Sequence, residues 1–228
     1  MSNKNTPTIN SRTIDSFKSK LVGGGARPNL FEVRLTFPTG LDGVDEAVEK
    51  SRFMVKAANL PASNINVIDV PFRGRNLKIA GDRTFDVWTI TVINDTDFKI
   101  RDAFERWMNA INKHDNATGE VTPADYQTEM YVDQIGRSPK PVRNLDPTRG
   151  GDEKLPILRS YKFHGTFPTN VSAIELSYDQ TDSIEEFTVD LQVQWWDVFD
   201  GGGNNVFGTM DASGSPGSGA GNIGNTQG

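Results

Sequence analysis

A chain of 228 residues amounts to about one large domain, or one domain with tails. Its 36% hydrophobic content is lean for that length, so part of the chain is expected to lie outside the core. A net charge of -6 argues against wrapping nucleic acid, which needs clustered cations; the lack of cysteine excludes disulfides and thiolate metal sites, and no stretch reaches the roughly 18 apolar residues that span a bilayer.

Residues 1 to 12 are polar, without the apolar run of a secretory signal. Ile14, Phe17 and Leu21 follow at helical spacing, with Thr13 or Ser11 as the expected cap and Gly23-Gly24-Gly25 as the stop. Phe31, Val33, Leu35 and Phe37 alternate with Glu32, Arg34 and Thr36, the period of a half-buried strand. Pro38 to Lys50, rich in carboxylates, reads as a polar loop. Phe53 to Ala57 reads as a second strand, Ile65 to Val70 and Leu77 to Ile79 as two more about the turn Pro71-Phe72-Arg73-Gly74. Thr84 to Ile93 is the most β-prone run.

The long helix is expected over about 97–112. Ile100, Phe104, Trp107, Met108 and Ile111 form one stripe, and Asp95 or Thr96 is placed to cap it. A strand follows at about 129–135. The Pro-rich stretch Gly136 to Pro156 is irregular. Further strands are expected at Ile157 to Phe163, around Ile174 to Tyr178, and at the end. In the last strand Phe187, Val189, Leu191, Val193 and Trp195 point one way; Glu186, Thr188, Asp190, Gln192 and Gln194 point the other. From Gly201 onward the chain is rich in Gly, Ser and Asn, the composition of a flexible tail. The expected organisation is a polar arm with a short helix (1–25), a β domain (26–200) and a tail (201–228). The fold class is mostly β: an antiparallel sandwich or partly closed barrel with one flanking helix.

Chemistry-bearing constellations are few. The glycine-rich sites lack the Gly-Lys-Ser/Thr ending of a phosphate loop. His114 and His164 lie far apart in sequence, and His164 reads as a hydrogen-bonded structural residue. Glu185, Glu186, Asp190, Asp179 and Asp182 with Trp88, Trp195 and Trp196 would suit a glycosidase or carbohydrate-binding sandwich, the reading of a different class. No catalytic, metal or cofactor residue is assigned. Arg73, Arg75 and Lys78, with Asp82 and Arg83, read as a solvated hairpin or half of a subunit salt contact. The acids Asp45, Glu46 and Glu49 of the polar loop are further subunit-contact candidates. The polar row of the last strand must meet water, either bulk solvent or the filling of a central channel.

Five blocks in order resemble the tail tube proteins of contractile-tailed bacteriophages: Ala26 to Phe31, Lys56 to Pro61, Ala80 to Asp95, the aromatic-Pro-Thr-Asn-Val turn at Phe167 to Val171, and Ile184 to Trp196. The resemblance implies protomers that close into six-membered rings, stacked head to tail into a hollow tube inside a sheath. The implied partners are the chain itself, the sheath, baseplate and tail-terminator proteins, and a tape-measure protein in the lumen. Phage DNA passes through without specific binding, and no small-molecule substrate or cofactor is implied. The implied location is the virion tail, assembled in the bacterial host cytoplasm. Glu186, Asp190, Gln192 and Gln194 are the lumen candidates. The inner tube of a pyocin-like particle or a type VI secretion system is the alternative within this architecture. Compared with shorter family members, the loop 39–51, the segment 137–156 and the tail after Asp200 are longer.

Overall fold

The described residues, 13–21, 25–137 and 156–207 of a computed structural model, form four helices and nine strands. In chain order these are α1 (Ile14–Lys20), β1 (Phe31–Arg34), α2 (Asp45–Met54), β2 (Val55–Ala58), β3 (Ser63–Phe72), β4 (Arg75–Phe85) and β5 (Trp88–Ile93). Then follow α3 (Lys99–Ile111), α4 (Pro123–Tyr126), β6 (Thr128–Ile135), β7 (Ile157–Val171), β8 (Glu186–Gln192) and β9 (Trp195–Asp200).

Seven strands make one antiparallel path, β1-β6-β7-β8-β5-β2, with β9 added on β7. The path folds at β7. The first part of this 15-residue strand pairs with β6 and β9, and its end, Phe167 to Val171, pairs with β8. Gly165 sits at the pivot with φ +61°, and a Cβ there would stand 2.5 Å from Gln194 Cγ, so only glycine fits. The chain crosses back between β8 and β9, where the Gln194 N–H donates to the His164 carbonyl. The two halves pack across a shared core in which Trp88 of β5 stacks on Phe163 of β7, ring centres 4.4 Å apart. The path ends at β1 and β2, which do not pair, so the sheet does not close into a barrel.

Helix α3 covers this core with its apolar stripe. Ile100, Ala103, Phe104 and Trp107 are buried, Phe37 meets Phe104 and Trp107 edge-on, and Trp107 Nε1 donates to the Tyr126 carbonyl at 2.8 Å. Neither Asp95 nor Thr96 caps it. The helix starts at Lys99 after a left-handed Phe98 (φ 55°), without a side-chain cap. Asp95 and Asp97 instead accept from Lys50 Nζ at 2.8 and 2.7 Å. The bond to Asp95, then that to Asp97, raises the Lys50 pKa, while Lys50 lowers that of Asp97.

Several sequence expectations need correction. The polar loop ends in helix α2, which buries Ala47 and Ser51 and takes in Phe53 and Met54, so β2 starts only at Val55. Small residues at helical spacing carry too little apolar signal to show against the carboxylates. The run 84–93 is two strands, because the chain leaves one sheet at Phe85 and enters another at Trp88. Phe167 to Val171 is strand, not turn. Ile174 to Tyr178 is irregular, with Leu176 and Tyr178 exposed. The cap of α1 is Thr13, whose Oγ1 accepts from the Ser16 N–H; Ser11 and Gly23-Gly24 lie outside the described residues, as do 138–155 and 208–228. Residues 201–207, taken as the start of the tail, fold back on β9.

Candidate assembly surfaces

Strand β8 has two faces of opposite character. Phe187, Val189, Leu191 and Val193 beyond its end are buried, and the Arg101 guanidinium of α3 lies over the Phe187 ring. Trp195 does not join them. The break at Val193-Gln194 turns it out, 50% exposed, with the His164 ring stacked on it at 5.0 Å. The other face carries Glu186, Thr188, Asp190 and Gln192, opposite Thr91 and Thr89 of β5. Lys56 Nζ of β2 binds Glu186 Oε1 at 2.5 Å. Asp190 accepts from Thr89 Oγ1 at 2.7 Å and from Asn170 Nδ2 at 3.1 Å, neutral donors that leave its charge in place. The face is hydrophilic, and of its two carboxylates Glu186 is paired with Lys56 while Asp190 has no cationic partner among the described residues. Gln194 departs from this row: it sits in the break, against Gly165. The two margins of this four-stranded half are β2 and the end of β7, each paired on one side.

The second surface is the hairpin β3–β4, a two-stranded sheet of its own. Its turn, Arg73-Gly74, has φ 46° and 79°, the positive pair of a type I′ connection, which matches the strand twist. The basic residues gather at its tip: Arg73 in the turn with its guanidinium over Phe72, Arg75 opposite Phe72, and Lys78 bound to Asp69 across the strands at 2.9 Å. Asp82 and Arg83 lie exposed toward the root. Sequence reasoning missed the apolar face. Cross-strand pairs Ile68–Ile79 and Val70–Leu77, with Phe72, line one side and are all exposed, Leu77 by 60% and Phe72 by 66%. The alternation of these residues was the available signal. A lone hairpin is marginal in water, and an apolar stripe on it calls for a covering surface.

Of the acids of α2, Glu46 is engaged within the chain. Glu46 pairs with Lys50 and with Lys99 at 3.3 Å, while Asp45 and Glu49 are exposed. His164 is held between carboxylates, Nε2 3.1 Å from Asp197 and Nδ1 3.3 Å from Glu129. Burial works against the Glu129 charge, yet Lys162 at 2.6 Å, aided by His164 and Tyr131, keeps its pKa low. The tryptophans do not form a sugar platform. Trp88 is fully buried, Trp196 packs among Phe85, Tyr161 and Phe207, and the face of Trp195 is taken by His164.

Comparison with known proteins gives a consistent picture. Residues 26–198 match the model of a family described as phage tail tube protein. The chain is 31% identical over 175 residues to tail tube protein gp19 of Enterobacteria phage T4, covering 77% of this chain and 93% of that one. It is 24% identical over 182 residues to the tail tube protein of Serratia phage KSP90, covering 79% and 93%. Among solved structures, a chain of the anti-feeding prophage tube-terminating cap shares the fold with a TM-score of 0.52 at 14% identity, covering 77% of this chain and 91% of that one.

Proposed function

We propose a mode of assembly for this protein, which belongs to the phage tail tube protein family and is a structural subunit of a tail tube. Six copies join side by side through the margins of the β7-β8-β5-β2 half, and rings stack through the β3–β4 hairpin. The observation that carries this is the two-faced strand β8: an apolar face buried in the core, with Arg101 of α3 over Phe187, and a hydrophilic face on which Glu186 is exposed and Thr188, Asp190 and Gln192 are half-buried. Turned inward around a ring, Glu186, Asp190 and Gln192 with the threonines of β5 line a wet bore. Lys56 offsets Glu186, so each copy adds one unscreened negative charge, Asp190. That suffices to repel phosphate without a strong field, and the genome slides rather than adheres.

Joining strand margins between copies removes the exposed ladders that otherwise aggregate, and a head-to-tail contact that does not close on itself propagates as a filament. The side of this half sheathed by α3 then faces outward, toward a contractile sheath. Baseplate, terminator and tape-measure proteins are the expected further partners, and host cytoplasm is where assembly takes place. No catalytic step is assigned. An inner tube of a phage-like injection particle would use the same surfaces.

The test is electron microscopy of purified protein at high concentration, alone and with tail assembly partners. Rings and tubes with a central hole are expected. Monodisperse single copies under every condition would refute the reading, as would a map with the β8 polar row facing away from the bore.

A further inference from the structure

The match to the family stops at residue 198, yet the chain beyond it is built into the fold. Asp200 Oδ1 accepts from the backbone N–H groups of Gly202 and Asn204, both at 2.9 Å, and Asn204 Nδ2 donates to Oδ2 at 3.1 Å. Gly203 takes φ 83°, Asn205 bridges Phe199, and the Val206 N–H donates to the Val198 carbonyl at 2.7 Å. This turn lays the ring of Phe207 on Trp196, centres 5.8 Å apart. Trp196 in turn meets Tyr161 at 6.1 Å and Phe85 at 6.3 Å, both edge-on.

Phe85 is the last residue of β4, paired with Ser63 at the start of β3. It is therefore the root of the hairpin. Leu60 to Ser63, the other leg of that root, walls a cavity of about 350 Å³ together with Tyr161, Phe163 and Trp196. A cavity beside a lever leaves room for the lever to swing unless something stiff sits at the pivot. The aromatic column Phe207–Trp196–Phe85 is that stiff part, and it connects the hairpin root to β9 and to the added turn.

We propose that the turn Asp200 to Phe207 is a brace: it holds Trp196 against Phe85, fixes the angle at which the hairpin leaves the body, and so acts as a positioning element for ring stacking. Only the consequence for stacking rests on the tube reading. The effect on the hairpin is a property of the single copy.

The experiment uses the full chain with Phe207→Ala, the conservative Phe207→Trp, and Tyr178→Ala as an exposed aromatic far along the chain. Amide hydrogen exchange of isolated copies reads the root, and light scattering with microscopy reads tube growth. Loss of one aromatic contact is expected to speed exchange at Ser63 to Ile65 and Arg83 to Phe85 by about five- to tenfold. Exchange in β5 and β8 and the melting temperature stay as in the parent, Phe207→Trp restores protection, and Tyr178→Ala changes nothing. Tubes of Phe207→Ala are expected to grow more slowly and to vary in ring spacing. Unchanged exchange at the root in Phe207→Ala would overturn the brace even if tubes form normally. Faster exchange with normal tube growth would overturn its role in stacking. Failure of the parent chain itself to make tubes would count against the function and leave the exchange result to judge the brace.

Discussion

Replacing Phe72 by Ser separates folding from assembly. Phe72 sits next to the hairpin turn and keeps 66% of its surface in water. With an aromatic side chain burying about 200 Å² when covered, roughly 130 Å² remains to be removed from water on docking. At about 25 cal/mol per Å² this is about 3 kcal/mol per contact, or roughly a hundredfold in the association constant. Among the described residues, the Arg73 guanidinium lies over the ring, 5.3 Å from its centre, and most of the ring stays in water. Phe72→Ser is therefore expected to leave the melting temperature within about 2 °C of the parent, as for surface substitutions. The concentration needed to form tubes, measured by sedimentation and microscopy, should rise by about 10- to 100-fold. Assembly at the parent's concentration would refute the claim that the apolar face docks. A large drop in melting temperature would show that the face is already covered within the copy.

Other outcomes follow from the same geometry. Trp107→Ala removes a fully buried ring and leaves the Tyr126 carbonyl without its donor, and should cost about 3–5 kcal/mol by denaturant unfolding. Gln192→Lys adds a cation to the polar row; tubes should still form but retain labelled DNA at low salt and release it as salt rises, and indifference to DNA would argue that this row does not face the bore. Glu129 titrates below the usual glutamate range because Lys162 outweighs its burial, so its contribution is present above pH about 4.3 and is lost as pH falls through the lowered value. A carbon-detected NMR titration should show that midpoint move up in Lys162→Met.

Much of the fold was legible from period and turn chemistry. The alternation in β8 marks which side chains are buried, because each residue must choose between core and water and the pleat allows only two directions. The stripe of α3 is equally plain, while the turn read at Pro71-Phe72-Arg73-Gly74 falls one residue later, at Arg73-Gly74 with Pro71 and Phe72 still in β3. Local signals failed where the outcome depends on something distant in sequence. Asp95 and Asp97 look like helix caps until Lys50 arrives from α2 and takes both. Trp195 continues an alternating row until the chain changes partner strand and rotates it outward. The resemblance to the family implies a turn at Phe167 to Val171, yet β8 supplies a ladder that makes it strand. The apolar side of the hairpin was hidden for a related reason: Ile68, Val70, Phe72, Leu77 and Ile79 have the composition of a buried core, and only the separate two-stranded sheet leaves them in water.

By itself, then, the order of residues determined which segments alternate, which helix is amphipathic, and which blocks align with a known family, since all of these depend on neighbours within a few positions. The tertiary structure alone decided where β7 bends, which margins stay unpaired and which apolar residues remain outside. Those depend on contacts between residues more than a hundred positions apart, such as Thr89 with Asp190 and Lys56 with Glu186, whose closure no short window of sequence can register.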